Sequence, residues 1–378
     1  MKKIVNEENN RTILNNVLVA FFVRGGAIII SFLTLPAYIR YFDNQQILGM
    51  WFTILSVLMW VLTFDLGIGN GLRNNLVRAL VAKDEKLAKN YISSAYIIIG
   101  ILVLLVLCIS TVIFRFINWN TFFNIPINLV SKETLYITVC IVFGGIMLQF
   151  LFMLITSILY AMQKSAVISL LSLLSSIIIL AYVSLASSAD ISTNLISLAF
   201  VHVLAVNIPL LLTNVIVFST KLKNSKPNIK YFGKKYAKEV ILLGGIFFWV
   251  QIMYMLITAT NEFLITWLSG PEMVVEYQIY NKLFTLIGTI FTLVLTPVWS
   301  AVTKALAEKK YVWIKKLYKT LFFMALLAVF CEFAMIPFLQ VGINLWLGES
   351  IINVNYLYAV VFAISGSVFI WNGVLSSI

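Results

Sequence analysis

Residues 46–65 read QILGMWFTILSVLMWVLTFD, and residues 66–90 read LGIGNGLRNNLVRALVAKDEKLAKN. The first stretch contains no cation and ends on a single acid, Asp65. An apolar run of about 18 or more residues is long enough to cross hydrocarbon as a helix. The second stretch carries Arg73, Arg78, Lys83, Lys86 and Lys89. An apolar run closed by a cluster of cations marks the cytoplasmic end of a membrane span, because Lys and Arg are held back on that side.

Working outward, the same pattern recurs along the chain. Apolar stretches fall near 14–38, 46–65, 91–114, 135–159, 165–187, 195–219, 241–267, 277–300, 319–340 and 354–378. Of the 27 Lys and Arg residues, Arg40, Arg115 and Lys132 lie on one side of these stretches, and Arg24 and Lys282 lie inside them. All the others share the opposite side, with Lys221, Lys223, Lys226, Lys230, Lys234, Lys235 and Lys238 in the richest connection. This asymmetry predicts an all-α polytopic membrane protein with its N-terminus in the cytoplasm.

Composition agrees: 61% of residues are hydrophobic and 11% charged, so lipid is the main solvent. The net charge of +12 suits an anionic inner leaflet. No basic region stands apart from the spans, which argues against a nucleic-acid partner. Cys108, Cys140 and Cys331 all fall inside spans, without metal spacing. The polar start, with Lys2, Lys3, Glu7, Glu8 and Arg11, is unlike a cleaved signal. The connection 115–134, with Asn118, Trp119, Asn120 and Pro126, reads as an interfacial turn. In 72–90, Leu72, Leu76, Leu80 and Leu87 alternate with cations, which predicts an amphipathic helix on the inner surface.

Shifted by 226 residues, the chain matches itself in the order of its connections. Ala79-Leu80 meets Ala305-Leu306, Lys83 meets Lys309 and Lys89 meets Lys315. The copies begin on the same side, so this is a parallel repeat, as in two-lobed transporters that bind substrate between their halves. The expected lobes are 1–219 and 241–378, joined by a basic cytoplasmic linker at 220–240 and enclosing a central cavity. By the same register position 378 corresponds to about position 152, so the second lobe is expected to be truncated by roughly two spans.

Charges inside hydrocarbon tend to face a cavity or a partner. Arg24 beside Gly25-Gly26 and Lys282 are therefore candidates for lining a substrate cavity, with Gln251 and Asn261 adding polar atoms nearby. Asp65, Arg73, Glu262, Glu332 and His202 are candidates for gating or coupling. Each also has a plainer reading: Asp65 with Arg73, and Glu262 with Lys282, as ion pairs, and Glu332 and His202 as hydrogen-bonded packing residues. Gly67, Gly69 and Gly71 leave backbone exposed at the inner mouth, which suits a hinge. Pro36, Pro209, Pro297 and Pro337 are expected to kink their helices.

The segment Gly49-Met50-Trp51-Phe52-Thr53-Ile54-Leu55, followed by Asp65-Leu66-Gly67-Ile68-Gly69-Asn70-Gly71-Leu72-Arg73-Asn74, resembles the Wzx-type polysaccharide flippases of the multidrug/oligosaccharidyl-lipid/polysaccharide exporter superfamily. That resemblance implies two six-helix lobes in a bacterial inner membrane. It also implies transport of undecaprenyl-pyrophosphate-linked oligosaccharide to the outer leaflet. Implied partners are that lipid-linked substrate, membrane lipids, and the glycan polymerase with its chain-length machinery. No cofactor is implied beyond coupling to a proton or sodium gradient. A multidrug/cation antiporter and a lipid II flippase are the alternatives. An enzyme would require clustered acids and histidines or a large outer loop, and the sequence has neither.

Overall fold

A computed structural model describes residues 22–23, 25–63, 67–186, 190–307, 310–349 and 351–376. Among these, nine helical segments are long and apolar enough to cross a membrane. The chain divides into two compact units, Met1–Val274 and Val275–Ile378.

In the first unit α1 (Gly25–Phe42) turns through Asp43-Asn44 into α2 (Gln45–Thr63). Then follow α3 (Ile68–Val81), α4 (Glu85–Ile113), the short α5 (Trp119–Phe122), α6 (Lys132–Ala161), α7 (Ser165–Leu185) and α8 (Ile191–Ser219). Two 3-10 turns lead to α9 (Lys234–Thr258) and α10 (Asn261–Ser269). Several starts are set by side chains placed just ahead of an apolar run. Asp84 accepts from the Leu87 amide, Ser131 from that of Thr134 and Asp190 from that of Thr193. Each satisfies an amide that the first turn leaves open.

The expected surface helix over 72–90 is corrected. Residues 68–81 form α3, the chain turns at Ala82 and Lys83, and Asp84 starts a new helix. Leu72, Leu76 and Ala79 are fully buried, and α3 packs against α4, α6 and α9. Arg73 and Arg78 are exposed and flank that buried stripe on either side. A helix carrying cations beside a stripe of leucines belongs here to the bundle, not to its surface.

The expectation of exposed backbone at the glycines is corrected too. Gly67 and Gly71 are buried. A methyl group on Gly67 would stand 2.0 Å from the Gly244 carbonyl oxygen, and one on Gly71 would stand 2.0 Å from that of Val240. Gly67 also has φ +66°, a left-handed conformation that costs other residues about 1–2 kcal/mol. The glycines therefore let α3 and α9 touch backbone to backbone. Gly49 does the same for the α10–α11 turn, where a methyl group would lie 1.6 Å from the Pro271 carbonyl oxygen. Thr53 Oγ1 meets Thr266 Oγ1 at 2.5 Å across the α2–α10 contact.

Contacts at the two ends of the unit agree with the alternation of charge. At the basic end Ser225 Oγ donates to the Glu85 carbonyl, the Asn228 amide to Ser93 Oγ, and the Gly233 amide to Ser94 Oγ. The connection 220–233 is thus strapped onto the first turns of α4. At the other end Tyr41 OH donates to the Asn194 carbonyl at 2.9 Å, joining α1 to α8. The connection 115–134 is more than an interfacial turn. Trp119 and Asn120 are buried, and Asn124 Nδ2 donates to the Thr266 carbonyl at 3.1 Å.

The second unit holds most of α11 (Glu272–Ala307), with α12 (Tyr311–Met335), α13 (Leu339–Leu347) and α14 (Tyr356–Ser376). A 3-10 turn at Ile336–Phe338, containing Pro337, separates α12 from α13. Two apolar clusters hold the unit together, the first joining α11, α12 and α14 and the second α11, α13 and α14. One contains Phe291, Ala325 and Ile370, and the other Tyr280, Phe284 and Ala363.

Candidate functional site

Four helices of the first unit enclose a cavity of about 160 Å³. Helix α3 contributes Asn70 and Arg73, α6 contributes Thr156, Ser157 and Tyr160, and α9 contributes Gln251. The close approach at Gly67 and Gly71 sets how far Arg73 stands from Gln251, because it fixes α3 against α9. Arg73 Cζ lies 4.7 Å from the centroid of the Tyr160 ring, a cation–π geometry that holds the guanidinium at the cavity wall. Gln251 Oε1 is buried and has no hydrogen-bond partner among the described residues. A buried acceptor left unpaired is costly unless a ligand or water completes it. The cavity therefore offers a cation, an open acceptor and three hydroxyls.

A larger cavity of about 490 Å³ lies between α2, α6, α7 and α8. It shares Met153 and Thr156 of α6 with the first. Its lining is mainly apolar, with Gln149, Ser172, Ser175, Ser176 and His202 as polar points. The His202 ring packs edge-on against Trp51, with centroids 5.8 Å apart, and its Nδ1 is buried without a partner among the described residues. Together the two cavities reach the roughly 300–1,000 Å³ typical of small-molecule sites.

Arg24 and Asp65 lie outside the described residues. Glu262 is buried at the start of α10, where Ser56 Oγ reaches both its Oε2 (3.1 Å) and the Ala259 carbonyl (2.6 Å). Asn261 begins the same helix, after the break at Ala259-Thr260. Lys282 lies half-buried on α11, in the second unit. Glu332 is fully buried on α12, and both of its carboxyl oxygens lack partners among the described residues. Its carboxyl group lies against the backbone of Gly366 on α14.

Sequence reasoning missed Asn70, Thr156, Ser157 and Tyr160, because polar residues near the end of an apolar run are ordinary. It also missed the clamp between α6 and α8. Asn207 Nδ2 donates to the Gly145 carbonyl and Asn214 Nδ2 to that of Phe152, while Tyr96 OH donates to Asn214 Oδ1. Two asparagines seven residues apart in an apolar helix, hence on one face, were the available signal.

No protein-family model matches the chain, and no curated protein does. Among solved structures, the fold is similar to the inward-facing conformation of a multidrug resistance MATE-family transporter of the MOP superfamily. The TM-score is 0.67 at 13% identity, over 94% of this chain and 84% of that one. The described residues thus form an all-helical, multi-span membrane fold like that of the MATE-family structure. At that identity the likeness is one of fold.

Proposed function

We propose that the protein is a flippase for a lipid-linked oligosaccharide carrying a pyrophosphate, moving it from the cytoplasmic to the outer leaflet of a bacterial inner membrane. The observation that carries this reading is the cavity lined by both Arg73 and the unpaired Gln251 acceptor. A glycosyl pyrophosphate presents anionic oxygens and hydroxyl donors. Arg73 answers the first by charge-assisted bonds, and Gln251 answers the second. Carrying such a head group across about 30 Å of hydrocarbon requires its charge to be met on the way. The larger cavity next door gives room for sugars, while the polyprenyl tail stays in lipid.

In this reading the lobes expected at 1–219 and 241–378 provide alternating access, and the basic end faces the cytoplasm. Asp65, Glu262, Glu332 and His202 are the residues for gating or for coupling to a proton or sodium gradient. Glycan polymerase and chain-length proteins would receive the product.

The test is surface-glycan display in a flippase-deficient bacterium whose glycan the protein should serve. The parent should restore display. Arg73→Gln, at equal protein level, should reduce it roughly tenfold or more, as expected for loss of a charge-assisted bond. Gln251→Leu should reduce it less. Display at the parent level in both variants would sink the assigned site. The second reading, multidrug export, draws on the likeness to a multidrug transporter and on the apolar lining of the larger cavity. It would take over if the parent conferred drug resistance and restored no glycan.

A further inference from the structure

We infer that the pocket between the α3–α4 turn and the segment following α8 binds the phosphodiester head group of an anionic phospholipid. The inference is independent of what the protein transports. The pocket is about 370 Å³ in volume and lies at the basic end of the first unit. Lys83, Lys221 and Lys223 line it, together with Asp84 and Glu85.

Both carboxylates already accept from protein donors. Asp84 Oδ1 takes the Leu87 amide at 2.9 Å, and Glu85 Oε2 takes the Asn224 amide group at 2.9 Å. The three lysines are exposed, so their ammonium groups are available to a ligand. The walls are built rather than loose. Lys83 sits in a left-handed turn (φ 54°) closed by the Asp84 amide on the Ala79 carbonyl. Opposite, Leu222 and Ser225 are buried, and Ser225 Oγ holds the Glu85 carbonyl.

The surroundings select a lipid over a soluble phosphate. The pocket lies where two membrane-crossing helices, α4 and α8, end. At this end Val81 and Ile229 are 79% and 82% exposed, and Lys89 stacks over the Tyr231 ring at 4.2 Å. Exposed apolar side chains beside lysines belong at the boundary between head groups and acyl chains. Basic pockets between membrane helices on the cytoplasmic side hold anionic head groups by the same combination.

The experiment uses the full chain purified in detergent. Native mass spectrometry and thermal unfolding would be followed on titration with phosphatidylglycerol or phosphatidylcholine. Three forms are compared: the parent, the pocket variant Lys83→Gln/Lys221→Gln/Lys223→Gln, and the control Lys234→Gln/Lys235→Gln/Lys238→Gln on α9. The control has the same charge change at the same end but lies outside the pocket. The parent and control should retain phosphatidylglycerol over phosphatidylcholine, and the pocket variant should bind it roughly tenfold more weakly. Equal losses in both triple variants would reduce the effect to diffuse surface charge and overturn the proposal. So would absence of any preference in the parent. Competition by millimolar sodium phosphate equal to that by the lipid would overturn it in favour of a soluble phosphate site. Should the pocket variant not fold, Lys223→Gln alone, at an exposed position, makes the same comparison.

Discussion

Gly71 on α3 and Gly366 on α14 each leave a space that a methyl group would fill, but different groups occupy those spaces. At Gly71 the occupant is the Val240 carbonyl oxygen, part of the backbone of α9. At Gly366 it is the carboxyl end of Glu332, with Oε2 2.2 Å from where a Cβ would sit. The first contact joins two helices rigidly, since a backbone carbonyl cannot move without its helix. The second joins a helix to a side chain that can rotate away. One small residue therefore serves two purposes. In the first unit it fixes the spacing of a cavity wall, and in the second it makes room for a buried ionisable group.

The comparison breaks most visibly at the first contact. Gly71→Ala and Gly67→Ala should force α3 and α9 apart. Overpacking of this kind costs about 1–3 kcal/mol, and Gly67→Ala adds about 1–2 kcal/mol from its left-handed backbone. Thermal unfolding in detergent should show a clear loss for both, with Gly67→Ala the worse. Gly100→Ala and Gly144→Ala are the controls, since nothing lies within 4 Å of an added methyl there. If Gly71→Ala unfolded with those controls, the close approach of α3 and α9 would be wrong.

At the second contact the expected loss is smaller, because Glu332 can swing aside. Gly366→Ala should cost less than Gly71→Ala, and the cost should depend on the glutamate. Shortening that side chain in Glu332→Ala should make Gly366→Ala nearly harmless, a coupling of about 0.5–3 kcal/mol in a double-mutant cycle. Additive losses would mean that the two residues do not touch. Glu332→Gln sharpens the point by keeping the shape and removing the ionisable group. A transport rate that loses its pH dependence at unchanged stability would make Glu332 a coupling residue. A rate that keeps it would leave Glu332 a packing residue.

What the sequence revealed follows the same division. Apolar length and cation placement were enough for the spans, because the bilayer imposes both. The role of α3 was hidden, since hydropathy does not distinguish a polar face turned to water from one turned to an internal cavity. Leu72, Leu76 and Ala79 at helical spacing were the visible sign of a buried face. The glycines were visible but their tightness was not, because Val240 and Gly244 lie about 170 residues further on and no local pattern connects them. Gln251 and His202 stood out as polar residues in apolar runs, and both line cavities. Tyr160 and Ser157 did not, because the end of a span is where polar residues are expected anyway.

The smallest effect on stability should come from Arg73. Its contact with Tyr160 is half open to solvent, Tyr160 being 41% exposed, and such a cation–π pair is worth about 0.5–1 kcal/mol. Arg73→Gln should therefore unfold close to the parent, far from Gly71→Ala. Arg73→Lys keeps the charge and loses the planar fork that grips phosphate by two bonds. Tyr160→Leu keeps the charge and loses only its platform. A scaffold residue would lose transport in proportion to stability across all four variants, with Gly71→Ala the most impaired. A residue that meets the substrate's charge would break that order. Arg73→Gln would be nearly as stable as the parent yet the least active of the Arg73 and Tyr160 variants, with Arg73→Lys between. Activity and unfolding measured on the same preparations decide between the two, and transport by Arg73→Gln at the parent's rate would remove Arg73 from the site.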